Sequence, residues 1–305
     1  MTKQKVALVL ASGGARGLAH IGAIEELESR GYEISSIAGC SIGSLIAGCY
    51  ATGKLQETKE WFLRLNTQKI LALGDFSLSK NYLVKGDRTV NAFKEIVPDM
   101  LIEDLPIPVS LVASDIIHNR EVVMESGNLF EAVRASVSIP LFFRPVKKDN
   151  MLLVDGGILN ACPLNRVRRT EGDILAALNI SAPDSMEVEK PKPIEKPKFL
   201  DRLPDFIGDF VSEKLEEKYQ EEESEYLSNS VNYASLLSRM TDIMIQNNTV
   251  LMNRLVHCDI LAQMPMNAYP TFAFDRAEEI IEHGRRLMKD AIDQYESQTK
   301  KETQS

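Results

Sequence analysis

The N-terminal third of the chain alternates continuous apolar runs with glycine turns and helical patterns, and this alternation constrains the fold more than any other feature. Residues 6–11 form an apolar run that ends in glycines, and a helical pattern follows over 18–30. A second strand pattern covers 34–40 and leads through another glycine turn into a small-residue helix over 44–51. This order predicts parallel strands with helices packed on the faces of the sheet.

The same alternation continues through the rest of the chain. Strand patterns follow at 109–113, 121–124, 151–154, 174–178 and 259–263. Helical patterns lie between and after them at 129–136, 233–255 and 275–295. Several of these strands are continuously apolar, which is typical of a sheet covered on both sides. The predicted fold class is therefore α/β, a three-layer α/β/α sandwich with a mostly parallel central sheet.

The composition changes abruptly after residue 182. The segment EVEKPKPIEKPK is charged and rich in proline, which predicts an extended linker or the hinge of a lid. A charged stretch over 213–225 is predicted to be a solvated helix. We therefore expect a catalytic core over 1–182, a linker or lid over 183–230, and a C-terminal helical segment over 231–305 that packs on the core.

The charge balance excludes one class of partner. The chain has 35 Lys and Arg residues against 44 Asp and Glu residues, a formal net charge of −9. A chain with this balance is not attracted to nucleic acid, nor to a membrane by charge alone. We therefore expect no nucleic-acid partner.

The cysteines and the apolar runs bear on the cellular compartment. Cys40, Cys49, Cys162 and Cys258 lie far apart without a CxxC pair, so neither a zinc site nor a disulfide framework is predicted. Reduced thiols fit the cytoplasm. The first apolar run is interpreted as a strand, not a signal peptide, and no run reaches the roughly 20 residues that span a bilayer. We expect a cytoplasmic protein whose membrane contact, if any, is peripheral.

The sharpest local motif is Gly39-Cys40-Ser41-Ile42-Gly43, a G-x-S-x-G sequence between a strand and a helix. Three fixed positions occur by chance in roughly one chain in ten of this length, so the context carries the argument. A strand-turn-helix context predicts a nucleophile elbow, in which the flanking glycines relieve crowding and the serine is exposed. A tight turn of small residues is the alternative interpretation.

A second glycine turn offers donors for an anion. It comprises Gly13, Gly14, Ala15, Arg16 and Gly17, which follow the first strand and open a helix. Several backbone N–H groups at such a place can converge on one oxyanion, assisted by the helix dipole. A dinucleotide site is not favoured, because Ser12 stands where its G-x-G-x-x-G fingerprint has the first glycine.

A serine nucleophile also needs a base. None of His20, His118, His257 and His283 stands in a context typical of an α/β-hydrolase triad. By contrast, Asp155 ends a buried strand and is followed by two glycines, a position from which open α/β sheets present functional groups. A turn-forming Asp-Gly pair is the alternative interpretation.

Four ordered blocks together resemble the patatin-like phospholipase family, specifically its compact bacterial members. They read GGARGLAHIGAIEEL, GCSIGSLIAGCYATG, ASVSIPLFFRPV and DGGILNACPL, and they span about half of the chain. The resemblance implies a Ser-Asp dyad instead of a triad, carried here by Ser41 and Asp155. It also implies that 13–17 form the oxyanion loop, that Gly156 and Gly157 complete the Asp-Gly-Gly motif, and that 139–140 line the site.

The resemblance implies a serine acyl hydrolase that cleaves phospholipid or other acyl esters through an acyl-enzyme, with no metal or cofactor. The expected partner is the lipid or acyl-ester substrate. A lipid-binding or acyl-chain-binding regulator with little turnover is the alternative from another class, and a thioesterase acting on soluble acyl groups shares the same site. Oligomeric state and head-group preference are left open.

Two helical patterns can each be interpreted in two ways. Trp61 and Phe62 lie on an apolar face that indicates packing, with a cap over the site as the alternative. Met240, Met244 and Met252 recur at helical spacing, which is typical of a core. An adaptable surface for acyl chains is the alternative there.

Overall fold

The computed structural model describes residues 3–65, 68, 92–140, 142–183 and 233–304. The strands are β1 (Lys5–Leu10), β2 (Glu33–Cys40), β3 (Val109–Asp115), β4 (Arg120–Met124), β5 (Val146–Lys148), β6 (Met151–Asp155), β7 (Ile174–Ala182) and β8 (Ile260–Pro265). The helices are α1 (Ala19–Ser29), α2 (Ile42–Ala51), α3 (Leu55–Leu63), α4 (Leu129–Ser136), α5 (Gly157–Asn160), α6 (Tyr233–Leu255) and α7 (Ala277–Gln304). The predicted linker or lid and the predicted helix over 213–225 lie outside the described residues.

One mixed sheet organises the described part of the chain. Its parallel part has the order β3-β2-β1-β7-β8, and the antiparallel strands β4, β5 and β6 extend it beyond β3. Strands β3 and β7 are buried along their whole length, because helices cover both faces of the sheet. The predicted α/β fold with a mostly parallel sheet is confirmed.

The direction of the crossovers separates the helices into two layers. The chain moves from β1 through α1 to β2 and through α2 towards β3, whereas the β7-α6-β8 unit moves the opposite way along the sheet. Right-handed crossovers in opposite directions place their helices on opposite faces. Helix α7 packs on α1, and α5 packs on α6. The sheet is therefore the middle layer of three.

Strand β3 brings two chain segments together at its carboxyl end. Its first half pairs with β2, which ends with Cys40 opposite Val112. Its second half pairs with the antiparallel β6, which ends with Asp155 opposite Ala113. Because β4 occupies the other edge of β3, β2 and β6 meet end to end on one edge. The residues that follow these two strands are thereby forced into proximity.

One interpretation of the helical patterns is confirmed and one is wrong. Phe62 is buried in the core and Trp61 packs against it, as the packing interpretation predicts. The core interpretation of the methionines fails for Met240 and Met244, which are 50% and 41% exposed, although Met252 does pack on the core. The physical reason is that α6 turns a different arc, around the fully buried Thr249, towards the sheet.

Two glycines allow α1 and α7 to pack backbone against backbone. A Cβ added to Gly284 would overlap the backbone of Ala19, and a Cβ added to Gly22 would overlap the carbonyl oxygen of Ile281. Neither neighbour is a flexible side chain that could move aside. Because α1 leads directly out of the glycine loop, this contact fixes the helix that follows the loop.

We expect Gly284→Ala to lower the free energy of unfolding by roughly 1–3 kcal/mol, because overpacking against backbone forces the two helices apart. Gly48→Ala is the matched control, since its Cβ would meet only the tip of Leu129, 3.2 Å away. That variant should stay within about 1 kcal/mol of the wild type. Urea denaturation measures both, and equal losses would contradict this account of the helix contact.

Candidate functional site

The turn between β2 and α2 is a sharp elbow with Ser41 at its apex. Ser41 has φ 55° and ψ −125°, a conformation that residues other than glycine rarely adopt. A Cβ on Gly39 would lie 2.5 Å from the carbonyl oxygen of Gly43, and one on Gly43 would overlap that of Leu10. Both glycines are therefore required by the close approach of backbone, as the predicted elbow demands.

The structure brings Ser41 and Asp155 into direct contact. The Ser41 hydroxyl donates a hydrogen bond to Oδ2 of Asp155, although the two residues are 114 positions apart in the chain. The other carboxylate oxygen accepts a 2.8 Å hydrogen bond from the backbone N–H of Gly157. Both side chains are almost fully buried, at 3% and 4% exposure. The carboxylate is therefore oriented by one donor on each oxygen.

Burial makes this carboxylate more basic than an ordinary aspartate. Loss of solvation raises the pKa of Asp155 to about 6, and the hydrogen bonds from Ser41 and Gly157 offset only part of that effect. The group is still ionised at neutral pH, and its pKa is close enough to neutrality for it to take up a proton. A carboxylate with these properties can serve as a general base.

No histidine intervenes between the two side chains. His20 is buried with its Nε2 2.9 Å from the carbonyl oxygen of Ala11, and burial lowers its pKa to about 4. His118 is in the β3–β4 turn beside Asp115, His283 meets a tyrosine hydroxyl, and His257 is exposed after α6. Among the described residues, no three His, Cys, Asp or Glu side chains form a metal-binding cluster.

Ser136, at the end of α4, is a site residue that the sequence analysis missed. Its hydroxyl oxygen accepts a 2.9 Å hydrogen bond from the backbone N–H of Ser41 and donates to the carbonyl oxygen of Val112. It also lies 2.7 Å from the hydroxyl of Ser44. Ser136 thus ties the elbow to β3. Its only signal in the sequence was its place in the ASVSIPLFFRPV block.

The glycine loop supplies fewer free donors than predicted. The N–H of Ala15 donates to the carbonyl oxygen of Thr271 at 2.7 Å, so the expectation that it is available to an oxyanion is wrong. By contrast, the N–H groups of Gly13 and Gly14 have no acceptor within the described part of the chain. Gly14 has φ 60° and lies against the backbone of Thr271, so a side chain would not fit there.

The remaining loop residues hold the loop in place. The buried side chain of Arg16 donates to the carbonyl oxygens of Ile180 at 3.0 Å and Tyr269 at 2.7 Å. Gly17 leaves room for Ile42, the first residue of α2, because a Cβ there would overlap that side chain. Arg16 and Gly17 therefore anchor the loop to β7, to the segment after β8 and to α2.

The Asp-Gly-Gly motif is also explained by close packing. A Cβ on Gly156 would overlap the carbonyl oxygen of Val112 and come within 2.9 Å of the sulfur of Cys40. One on Gly157 would come within 2.9 Å of the hydroxyl of Ser12. These approaches bring the ends of β1, β2 and β6 together at the carboxyl edge of the sheet.

Comparison with known proteins gives a consistent family. The family model described as patatin-like phospholipase matches residues 8–167. A Mycobacterium bovis protein named as an uncharacterized NTE family protein is 37% identical over 199 residues, which cover 65% of this chain and 55% of that protein. Mouse patatin-like phospholipase domain-containing protein 6 is 30% identical over 195 residues, 62% of this chain and 14% of that protein.

This chain thus spans about half the length of the first relative and a small part of the second. Among solved structures, VipD from Legionella pneumophila aligns with 96% of this chain and 67% of its own, with a TM-score of 0.47 and 14% identity.

The unusual basicity of Asp155 can be tested directly. We expect its carboxyl group to titrate near pH 6, because its burial outweighs its two hydrogen bonds. In Ser41→Ala the pKa should rise further, since one of the hydrogen bonds that stabilise the ionised form is lost. Ser44→Ala, which alters the same turn without touching Asp155, should leave the value unchanged. Carboxyl ¹³C NMR over pH 3–9 measures this, and titration near 4 would contradict it.

Proposed function

Because this chain belongs to the patatin-like phospholipase family, we propose that it is a serine acyl hydrolase of lipid esters, with Ser41 as nucleophile and Asp155 as general base. The observation that carries the proposal is the direct hydrogen bond from the Ser41 hydroxyl to a buried carboxylate. A nucleophile held against its base at a strained turn has the arrangement that covalent acyl transfer requires.

In the acylation step, Ser41 Oγ attacks the carbonyl carbon of the ester while its proton passes to Asp155. A new C–O bond forms, and the electron pair of the carbonyl double bond moves onto oxygen. When this tetrahedral intermediate collapses, the bond to the alcohol breaks and Asp155 returns the proton to the departing oxygen. The acyl group remains on Ser41 as an ester.

In the deacylation step, water takes the place of the alcohol. Asp155 accepts a proton from water as the water oxygen attacks the acyl carbon of the acyl-enzyme. Collapse of the second tetrahedral intermediate releases the carboxylic acid, and the proton returns to Ser41 Oγ. The raised pKa of Asp155 suits both directions of transfer, because the group is ionised at rest and protonated in passing.

The oxyanion of each intermediate needs donors that are already in place. We assign this role to the N–H groups of Gly13 and Gly14, which have no protein acceptor within the described residues. The positive end of the α2 dipole adds to their effect, because α2 begins directly after Ser41. Donors fixed before the reaction stabilise developing charge without reorganisation.

Aromatic side chains beside the loop support an acyl substrate. Phe142 stacks on Phe272 with ring centroids 4.4 Å apart. Phe272 directly follows Thr271, whose carbonyl oxygen accepts the hydrogen bond from the N–H of Ala15. An apolar surface at this place suits an acyl chain better than a polar substrate. A soluble acyl thioester would use the same groups, so substrate screening separates a lipase from a thioesterase.

A fluorophosphonate probe distinguishes an enzyme from a lipid-binding regulator with little turnover. The probe forms a covalent bond only with an activated serine, so we expect labelling at Ser41 that is lost in Asp155→Asn. Absence of labelling in a folded protein that binds fatty acid tightly would support the regulator instead. Mass spectrometry of the labelled peptide identifies the residue.

Substitution of the two side chains should separate their roles. We expect Ser41→Ala to show no ester hydrolysis above background, because the nucleophile is removed. Asp155→Asn should lower kcat by roughly 10²–10⁴-fold, because general-base assistance typically contributes a rate factor of that size. Hydrolysis of p-nitrophenyl butyrate measures both. Thr52→Ser, at the end of α2, is a control that should keep full activity, and retained activity in Ser41→Ala would refute the assignment.

The pH dependence follows from the same carboxylate. We expect kcat/KM to rise with pH to a plateau, with a midpoint near 6, because Asp155 accepts a proton only when ionised. Below the midpoint the rate should fall about tenfold per pH unit. The buried His20, whose pKa is lowered to about 4, is too acidic to cause this inflection. Circular dichroism at each pH checks that the fold persists, and a flat profile from pH 5 to 8 would contradict the role of Asp155.

A further inference from the structure

A three-residue segment at the end of α4 holds the backbone of both proposed catalytic residues. The hydroxyl oxygen of Ser136 accepts a 2.9 Å hydrogen bond from the N–H of Ser41. Two residues later, the carbonyl oxygen of Ser138 accepts a 2.9 Å hydrogen bond from the N–H of Asp155. Ser136 and Ser138 are both fully buried. Two residues that are 114 positions apart in the chain are therefore held by neighbouring groups of one short segment.

The hydroxyl of Ser136 uses all of its hydrogen-bonding capacity. It donates its single proton to the carbonyl oxygen of Val112 at 2.6 Å. Its two lone pairs can then accept from the N–H of Ser41 and from the hydroxyl of Ser44, which lies 2.7 Å away. Rotation of this hydroxyl would leave at least one of these buried groups unpaired. The acceptor of the Ser41 N–H is therefore fixed in direction as well as in distance.

The place of Ser136 in the fold explains how one segment can reach both residues. Val112, whose carbonyl oxygen accepts from Ser136, lies opposite Cys40, the last residue of β2. The next residue of β3, Ala113, lies opposite Asp155, the last residue of β6. Ser136 therefore binds β3 at the point where the ends of β2 and β6 meet.

The side chain of Arg134 holds the other end of the segment. Its Nη1 donates to the hydroxyl oxygen of Ser138 at 2.6 Å, and that hydroxyl donates to the carbonyl oxygen of Arg134 at 2.8 Å. Its Nη2 donates to the carbonyl oxygen of Arg144 at 2.8 Å. These bonds fix Ser138 against α4, so its carbonyl group stays directed at the N–H of Asp155.

Ser41 requires such support because its backbone is strained. Its φ of 55° and ψ of −125° lie in a region that residues other than glycine rarely adopt. A strained conformation persists only where the surrounding structure holds it. Without an acceptor for the Ser41 N–H, the peptide between Cys40 and Ser41 could rotate, and the hydroxyl would then move relative to Asp155.

We propose that Ser136 and Ser138 are positioning residues, which set the distance and angle between the Ser41 hydroxyl and the Asp155 carboxylate. We call residues 136–138 the dyad clamp. Ser136 acts through the N–H of Ser41, and Ser138 acts through the N–H of Asp155. The inference rests on the proposed function, since the geometry of this pair affects a rate only if the two groups react.

Ser136→Ala in the full chain tests the dyad clamp by kinetics. We expect kcat for p-nitrophenyl butyrate to fall roughly 10- to 100-fold, because a displacement of about 1 Å at a reacting group lowers rates by up to that factor. KM should stay within about twofold of wild type, because the interaction that is lost orients the nucleophile instead of binding the substrate. The rate of fluorophosphonate labelling at Ser41 should fall in parallel with kcat.

A second measurement on the same variant needs no turnover. In Ser136→Ala the pKa of Asp155 should rise above its wild-type value of about 6, towards that in Ser41→Ala. The reason is that a displaced Ser41 hydroxyl stabilises the ionised carboxylate less well. Carboxyl ¹³C NMR measures this pKa. If Ser136→Ala does not fold, Ser136→Cys takes its place, since a thiol of similar size is only a weak acceptor.

Ser36→Ala is the matched control. Ser36 is also fully buried, and its hydroxyl also donates to a backbone carbonyl oxygen, that of Arg168. It lies five residues before Ser41 on β2, about 16 Å away along an extended strand. We expect the free energy of unfolding to fall in both variants, because each leaves a buried carbonyl group without its donor. Only Ser136→Ala should change kcat by more than about twofold.

The results that contradict the proposal are specific. Wild-type kcat and an unchanged Asp155 pKa in a folded Ser136 variant would overturn it, because Ser136 would then only support packing. An equal fall of kcat in Ser36→Ala would also overturn it, since loss of stability alone would explain both rates. Retained hydrolysis in Ser41→Ala would refute the hydrolase assignment, whereas the Asp155 pKa would still show whether the dyad clamp orients the pair. The two proposals therefore fail separately.

Discussion

The pairing of β3 with both β2 and β6 along one edge is the constraint on which the site depends. Two strands that run in opposite directions end against each other there, and each end carries one of the two contacting side chains. The contact between Ser41 and Asp155 is therefore a consequence of sheet register, not of loop flexibility. A shift of β6 by one residue would turn the carboxylate to the other face of the sheet.

Burial gives this site its chemical character. A carboxylate in water is a weak base at neutral pH, and no histidine lies between Ser41 and Asp155 in the described structure. The protein compensates by removing solvent from Asp155 and leaving it two donors, which are enough to orient the group but not to suppress its basicity. The same buried environment therefore orients the Asp155 carboxylate and raises its pKa.

Much of the fold and the centre of the site could be predicted because the signals are local. Gly39, Ser41 and Gly43 lie within five residues, and Asp155 ends a strand that periodicity reveals. What the sequence concealed depends on contacts between distant segments. The N–H of Ala15 donates to the carbonyl oxygen of Thr271, 256 positions later in the chain. The hydroxyl of Ser136, at the end of α4, accepts a hydrogen bond from the N–H of Ser41, which precedes α2. Spacing places Met240 and Met244 on one side of α6, but it does not reveal whether that side faces the core or solvent.

The buried side chain of Arg16 has a consequence for how the protein is made. It bonds to the carbonyl oxygen of Tyr269, 253 positions later in the chain, while the family match ends at residue 167. The glycine loop is therefore synthesised long before the segment that anchors it. The loop over 13–17 can therefore reach its final conformation only after the segment that follows β8 has folded onto it.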